Sequence, residues 1–139
     1  MTSAEDLHIE VSTSGGPDGS GIGSIGYQGE REVLLTAADG TPCHAKVTRT
    51  QLTRLRRDAN KVDPSEWPAA DELEDAPTGP VVYALTIVRG ADRHSIRWAA
   101  GAERDVRPDA LGLFNTMWKL RKDLLRVCVK RGRLPRDAR

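Results

Sequence analysis

The chain has 139 residues, 38% hydrophobic and 29% charged, with a formal net charge of +1. That length suits one domain with a real core, and the near-neutral charge gives no bulk reason to expect a nucleic-acid partner. No apolar run approaches the ~20 residues of a membrane helix, and the polar start Met1-Thr2-Ser3-Ala4-Glu5-Asp6 lacks the basic and apolar regions of a secretory signal.

Leu7, Ile9 and Val11 alternate with His8, Glu10 and Ser12, the period of a half-buried strand. The pattern stops at Ser14-Gly15-Gly16-Pro17-Asp18-Gly19, and glycine recurs at 21, 23, 26 and 29. Residues 14–29 therefore read as a glycine-rich loop, long for a hairpin connection and of the kind that tends to be functional. A second strand fits Glu30 to Ala37, Asp39-Gly40 signals a turn, and 43–47 can add a short return strand. Thr48 followed by Gln51 spells a capping box. Leu52, Leu55, Ala59 and Val62 give the helix after it a buried stripe, leaving Arg49, Arg54, Arg56 and Arg57 to water.

Residues 63–80 are proline-rich and acidic. Asp63, Glu66, Asp71, Glu72, Glu74 and Asp75 occur there without a basic residue among them, as in a solvated loop, and Trp67 can pin it to the body. Val81–Val88, apolar on both faces, reads as a central strand. A turn at 90–92 leads to a partner strand through His94, Ile96 and Trp98. Pro108 and Asp109 suit the first turn of a helix, with Leu113, Met117, Leu120, Leu124 and Val127 as its stripe and Phe114, Trp118 and Leu125 widening it. Gly132 ends it. The elements spell ββαββα: an α+β domain over 1–132, with an antiparallel sheet of about four strands and two helices packed on one face. Residues 133–139 read as a basic disordered tail.

Few constellations carry chemistry. Gly21-Ile22-Gly23-Ser24-Ile25-Gly26 matches the dinucleotide fingerprint in letters, yet the text that follows opens no helix to hold a pyrophosphate. The sharper reading is an extended segment that displays Ile22, Ile25 and Tyr27 to a partner's cleft. Cys43 and His44 are adjacent, so in a strand they point to opposite faces. Two cysteines are too few for a disulfide scaffold and too isolated for a zinc cage. The expected setting is thus cytoplasmic and reducing, with Cys43 half-buried beside a surface histidine. No acid, base and nucleophile converge, so neither an enzyme nor a cofactor or metal site is expected. Charge is distributed unevenly, however. Residues 119–139 carry nine basic residues against two acids, Asp123 and Asp137, a net +7 that leaves −6 for residues 1–118. Lys119, Lys122, Arg126, Lys130, Arg131 and Arg133 define a basic surface for phosphates, for an acidic partner, or for the acidic loop of the same chain.

Leu7-His8-Ile9-Glu10-Val11-Ser12-Thr13-Ser14-Gly15-Gly16 resembles the start of the emfourin-like family, where a short strand runs into Ser-Gly-Gly. The second half is also similar. The strand Val82-Tyr83-Ala84-Leu85-Thr86-Ile87 turns through Arg89-Gly90 into His94-Ser95-Ile96-Arg97-Trp98, and Pro108-Asp109-Ala110-Leu111 opens a Leu-rich helix. The likeness runs over residues 7–127 and departs from the family pattern at Pro17-Asp18, at Ala37 to Lys46 and in the basic C-terminal end. The resemblance implies a small inhibitor of protealysin-like enzymes, zinc metallopeptidases of the thermolysin type, without a cofactor of its own; the free chain is expected to be a monomer. Such peptidases prefer a bulky aliphatic residue after the scissile bond. The expected contact set is therefore Ser14, Gly15, Gly16, Ile22, Ser24, Ile25 and Tyr27, with Ile22 or Ile25 in that pocket. The alternative is a nucleic-acid or acidic-partner binding module built on the basic C-terminal helix and tail. No membrane contact is expected.

Overall fold

Alternation of apolar and polar residues sorts a single sheet into a buried and an open face. The computed structural model describes residues 7–16, 21–67 and 80–139. The strands are β1 (Leu7–Ser14), β2 (Ser24–Tyr27), β3 (Glu32–Thr36), β4 (Pro42–Lys46), β5 (Val82–Arg89) and β6 (Asp92–Ala99), and the helices are α1 (Arg49–Asn60) and α2 (Pro108–Lys130). The six strands form one antiparallel sheet in the order β4-β3-β2-β1-β5-β6. Ile9, Val11, Ile25, Tyr27, Val33, Leu35, Leu85 and Ile87 are buried. Their neighbours His8, Glu10, His44 and Lys46 are exposed. An antiparallel sheet allows this, because one face can stay wet while helices cover the other. Helix α2 packs against β1, β2 and β4, and α1 packs on α2.

The α+β class with two helices stands, but the element order is ββββαββα rather than ββαββα. The return strand forms in full as β4. The larger correction is β2, which lies inside the segment read as loop. Ile25 and Tyr27 supply two apolar positions of strand period, too few to stand out among glycines. Gly26 pairs with Glu10 on one side and Leu34 on the other, so the strand fills the gap between β1 and β3. The strand at 82–89 is interior, as its apolar composition suggests, and it joins β6 through a two-residue turn at Gly90-Ala91 (Arg89 opposite Asp92).

Helix α1 starts as its sequence dictates. Thr48 Oγ1 accepts from the Gln51 amide, and the Gln51 side chain accepts from the Thr48 amide. At the other end Arg89 donates to the carbonyls of Ala59 and Val62, cations being favoured where the last carbonyls of a helix lack partners. Thr116 on α2 donates to the Asp58 carboxylate on α1. Leu55, Ala59 and Val62 are buried, as are Leu113, Met117, Leu120 and Leu124. Two stripe assignments change: Val127 is 36% exposed, the largest exposure of any big apolar side chain among the described residues, and Arg56 is half-buried rather than free in water.

Two expectations about the ends of the chain's chemistry are overturned. Cys43 on β4 and Cys128 on α2 are joined by a disulfide across a separation of 85 residues, and both are buried. Sequence spacing cannot show that a strand and a distant helix meet at these two positions. Such bonds are rare in reducing compartments, so this one weighs against the setting expected from the sequence. Residues 133–139 are likewise not a free tail. Leu134 is buried, its amide and that of Arg133 donate to the Cys128 carbonyl, and the Ala38 amide donates to the Arg139 carbonyl at 2.6 Å. The Arg133 guanidinium reaches the His44 carbonyl at 2.8 Å. Most of the acidic segment 63–80, and Pro17-Asp18-Gly19, lie outside the described residues. Within it Asp63 caps a single 3₁₀ turn at Pro64–Glu66, and Trp67 is buried. No helix among the described residues is long and apolar enough to cross a membrane.

Closing a loop this long contributes roughly 2–5 kcal/mol to stability. Replacing both cysteines with alanine is expected to lower Tm by about 5–15 °C for a domain of this size. Calorimetry on the variant and wild type checks this, and an unchanged Tm refutes the bond's contribution.

Candidate functional site

The glycine-rich segment is held at its base by a web of backbone and side-chain bonds. The Gly21 amide donates to the Gly15 carbonyl at 2.9 Å. Thr13 Oγ1 accepts from the Ile22 amide at 2.8 Å and donates to the Gly23 carbonyl at 2.6 Å. From the far side Arg121 donates to the Ile22 carbonyl at 3.1 Å. Both polar groups of the Ile22 backbone are thereby fixed while its side chain stays half-exposed. Ser24 Oγ bonds Thr36 Oγ1 at 2.9 Å, tying the start of β2 to the end of β3.

Arg121 is the buried polar residue of this region, at 6% exposure. Besides Ile22 it donates twice to the Thr36 carbonyl, at 2.8 and 3.2 Å, and once to the Arg139 carbonyl at 3.0 Å. Its guanidinium carbon lies 4.7 Å from the centre of the Trp118 ring, within cation–π range. Burial pushes its pKa down, yet a guanidinium stays charged in proteins. Four carbonyl contacts and a ring face replace the water it has lost. Gly23 makes room for it. With φ at +109°, a β-carbon there would sit 2.2 Å from an Arg121 nitrogen and 2.6 Å from the Thr36 oxygen. Gly15 is just as constrained, since a β-carbon would lie 2.3 Å from the Pro80 carbonyl oxygen. These glycines serve close approach, a use of the residue that letters alone cannot distinguish from flexibility.

The expected contact set divides on this frame. Ile25 and Tyr27 are 0% and 1% exposed, so they are corrected from display residues to core. The Tyr27 hydroxyl donates to the Glu30 carbonyl at 2.8 Å and braces a turn in which Glu30 has φ at +54°. Gly15 and Gly16 are buried against the chain at 80–81. Ser14, Ile22 and Ser24 keep part of their surface. A shallow recess of about 210 Å³ lies beside them, bordered by Thr13, Ser24, Thr36 and Asp39. The dinucleotide-like spelling runs into β2 and not into a helix.

The basic surface proves to be a groove. Helix α2 and the returning C-terminal segment enclose about 760 Å³ with Trp118, Leu125, Val129 and Ala138 among its lining. Of the expected cations, Lys119, Lys122, Arg126 and Lys130 line it, joined by Arg136 and Arg139. Arg131 and Arg133 do not, the latter being committed to His44. This shape depends on residues 133–139 returning along α2, which their local composition does not signal. Aromatic side chains form a cluster nearby, in which Tyr83, Trp98, Phe114 and Trp118 meet at centroid distances of 4.9–5.9 Å. Desolvation there, with the Glu103 charge second, raises the Tyr83 pKa. Phe114 and Met117 are core as expected, whereas Trp118 sits at the groove.

Among the described residues no group of three or more His, Cys, Asp or Glu side chains is placed to hold a metal ion. No protein-family model matches the chain, and no curated protein matches it significantly.

Substituting Arg121→Met leaves the carbonyls of Ile22, Thr36 and Arg139 without this donor. A loss of about 2–4 kcal/mol is expected, with faster amide exchange at Ile22 than at core positions such as Leu35. Gly23→Ala should produce the same signature through steric conflict. Denaturant titration with hydrogen exchange tests both; an Ile22 amide that stays as protected as wild type in Arg121→Met contradicts the bracing role.

Proposed function

We propose that the protein is a non-enzymatic inhibitor that lodges its glycine-rich segment in the cleft of a thermolysin-like zinc metallopeptidase. The reading rests on the likeness of Leu7–Gly16, the Tyr83 and Trp98 strands and the Pro108 helix start to emfourin-like proteins. One observation from the structure carries it further. Ile22 offers a half-exposed aliphatic side chain on a backbone whose N–H and C=O are both bonded. An Ile22 backbone held this way loses little conformational freedom on binding, which lowers one cost of association. The target's zinc and catalytic groups meet a chain that cannot relax away from them.

The contact set narrows accordingly to Ser14, Ile22 and Ser24, with Ile22 in the pocket that prefers bulky aliphatic residues. Gly15 and Gly16 act through close backbone packing, and Ile25 and Tyr27 support the segment from beneath. Cleft occlusion by shape requires no cofactor from the inhibitor.

Titration against a protealysin-like peptidase cleaving a peptide substrate tests the reading, with thermolysin alongside. Stoichiometric loss of activity that excess zinc does not restore is expected. Ile22→Asp should weaken inhibition at least about a hundredfold, near 2.7 kcal/mol, with Tm close to wild type. Absence of inhibition by the wild-type protein refutes the function. Undiminished inhibition by Ile22→Asp refutes this segment as the contact.

A further inference from the structure

The groove along α2 has a chemistry of its own, separate from the glycine-rich segment. Lys119, Lys122, Arg126 and Lys130 recur at intervals of three or four, so they form a stripe along one side of the helix. Trp118, Leu125 and Val129 form an apolar stripe beside it, and the C-terminal segment adds Ala138 to the lining along with Arg136 and Arg139. Cations thus come from both walls of the groove. None of the four α2 cations forms an ion pair with a described residue, and no Asp or Glu is among the described residues lining it.

We propose that this groove receives an amphipathic helix of a partner protein, with apolar residues along its centre and acidic residues on both flanks. Three features favour this occupant. An apolar floor between cationic walls matches a helix that buries an i, i+3, i+4, i+7 stripe and keeps charge at its edges. The stretch from Asn115 to Lys130 measures about 22 Å along the axis, the length of roughly four helical turns. Nucleic acid suits the site less well. A bound strand needs open aromatic faces for its bases, but Trp118 already holds the Arg121 guanidinium over its ring and stacks near-parallel to Phe114, at 16°. Phosphates would also leave the aliphatic floor unused. The order of residues 133–139 matters here, because without that second wall α2 would show only a flat basic face.

Fluorescence anisotropy on the full chain tests the proposal. The probe is a dye-labelled synthetic peptide of about 16 residues, with leucine at i, i+3, i+4 and i+7 spacing and glutamate on both flanks. A scrambled peptide of the same composition and single-stranded and duplex DNA oligonucleotides serve as comparisons. The patterned peptide should bind at least about tenfold tighter than each of them at near-physiological salt. The double variant Lys122→Glu/Arg126→Glu, at two exposed positions, should lose at least about tenfold in affinity with an unchanged Tm. Val129→Ser should weaken binding while preserving its salt dependence, since it removes floor and not charge. Equal binding of the scrambled peptide, tighter binding of an oligonucleotide, or full affinity in the double variant overturns the proposal. Peptidase titration of the double variant keeps the two readings apart: inhibition should persist there, because neither residue belongs to the Ile22 frame.

Discussion

A buried guanidinium with carbonyl partners is the constraint on which the rest of this structure turns. Arg121 enters the region from the middle of α2 and answers main-chain oxygens from three separate stretches: the approach to β2, the end of β3, and the C-terminal segment. A guanidinium can do this because its donors lie in a rigid planar fork; an ammonium on a flexible stem would serve fewer oxygens in fixed directions. The cost of desolvating a cation is offset only if all those segments arrive together. Gly23 must lack a side chain, Thr36 must end its strand at that point, and the chain beyond Gly132 must turn back. One residue therefore couples the glycine-rich segment to the groove wall on the opposite side.

Legibility in the sequence followed how local each signal is. The capping box at Thr48 and Gln51, the helix stripe from Leu55 to Val62 and the Pro108 helix start depend on neighbours within a few residues, and each is present in the fold. Strand β2 was hidden because its information lies in pairing. Ile25 and Tyr27 read as display residues until β1 and β3 are known to flank them. The Cys43–Cys128 bond and the ordered end of the chain were hidden for the same reason. Leu134 alone, among residues 133–139, hints that this segment returns to the core, and one leucine among arginines and polar residues is a weak signal. For the candidate site, spacing identified the glycine-rich segment and the cations of α2. It did not distinguish glycine used for close packing from glycine used for freedom, nor a groove from a convex basic face.

The two surfaces differ in physical character. Around Ile22 recognition would depend on shape, with few charges and a fixed backbone, so affinity there should respond weakly to ionic strength. Along α2 it would depend on charge around an apolar strip and should respond strongly. A chain with near-zero net charge can hold both characters because the positive charge is gathered at one end of the sequence and folded onto one side of one helix.

The bond from Arg133 to the His44 carbonyl bears on how the molecule behaves among its own copies. Strand β4 lies at the border of the sheet, where unpaired backbone groups invite a foreign strand to add on. Here the border begins with Pro42, which has no N–H to offer, and ends with the charged Lys46; in between, the disulfide holds Cys43 to α2 and Arg133 takes the His44 oxygen. Strand addition along this border would have to break those restraints first. The sheet is thus guarded against edge-to-edge growth on the β4 side by the same returning segment that builds the basic groove.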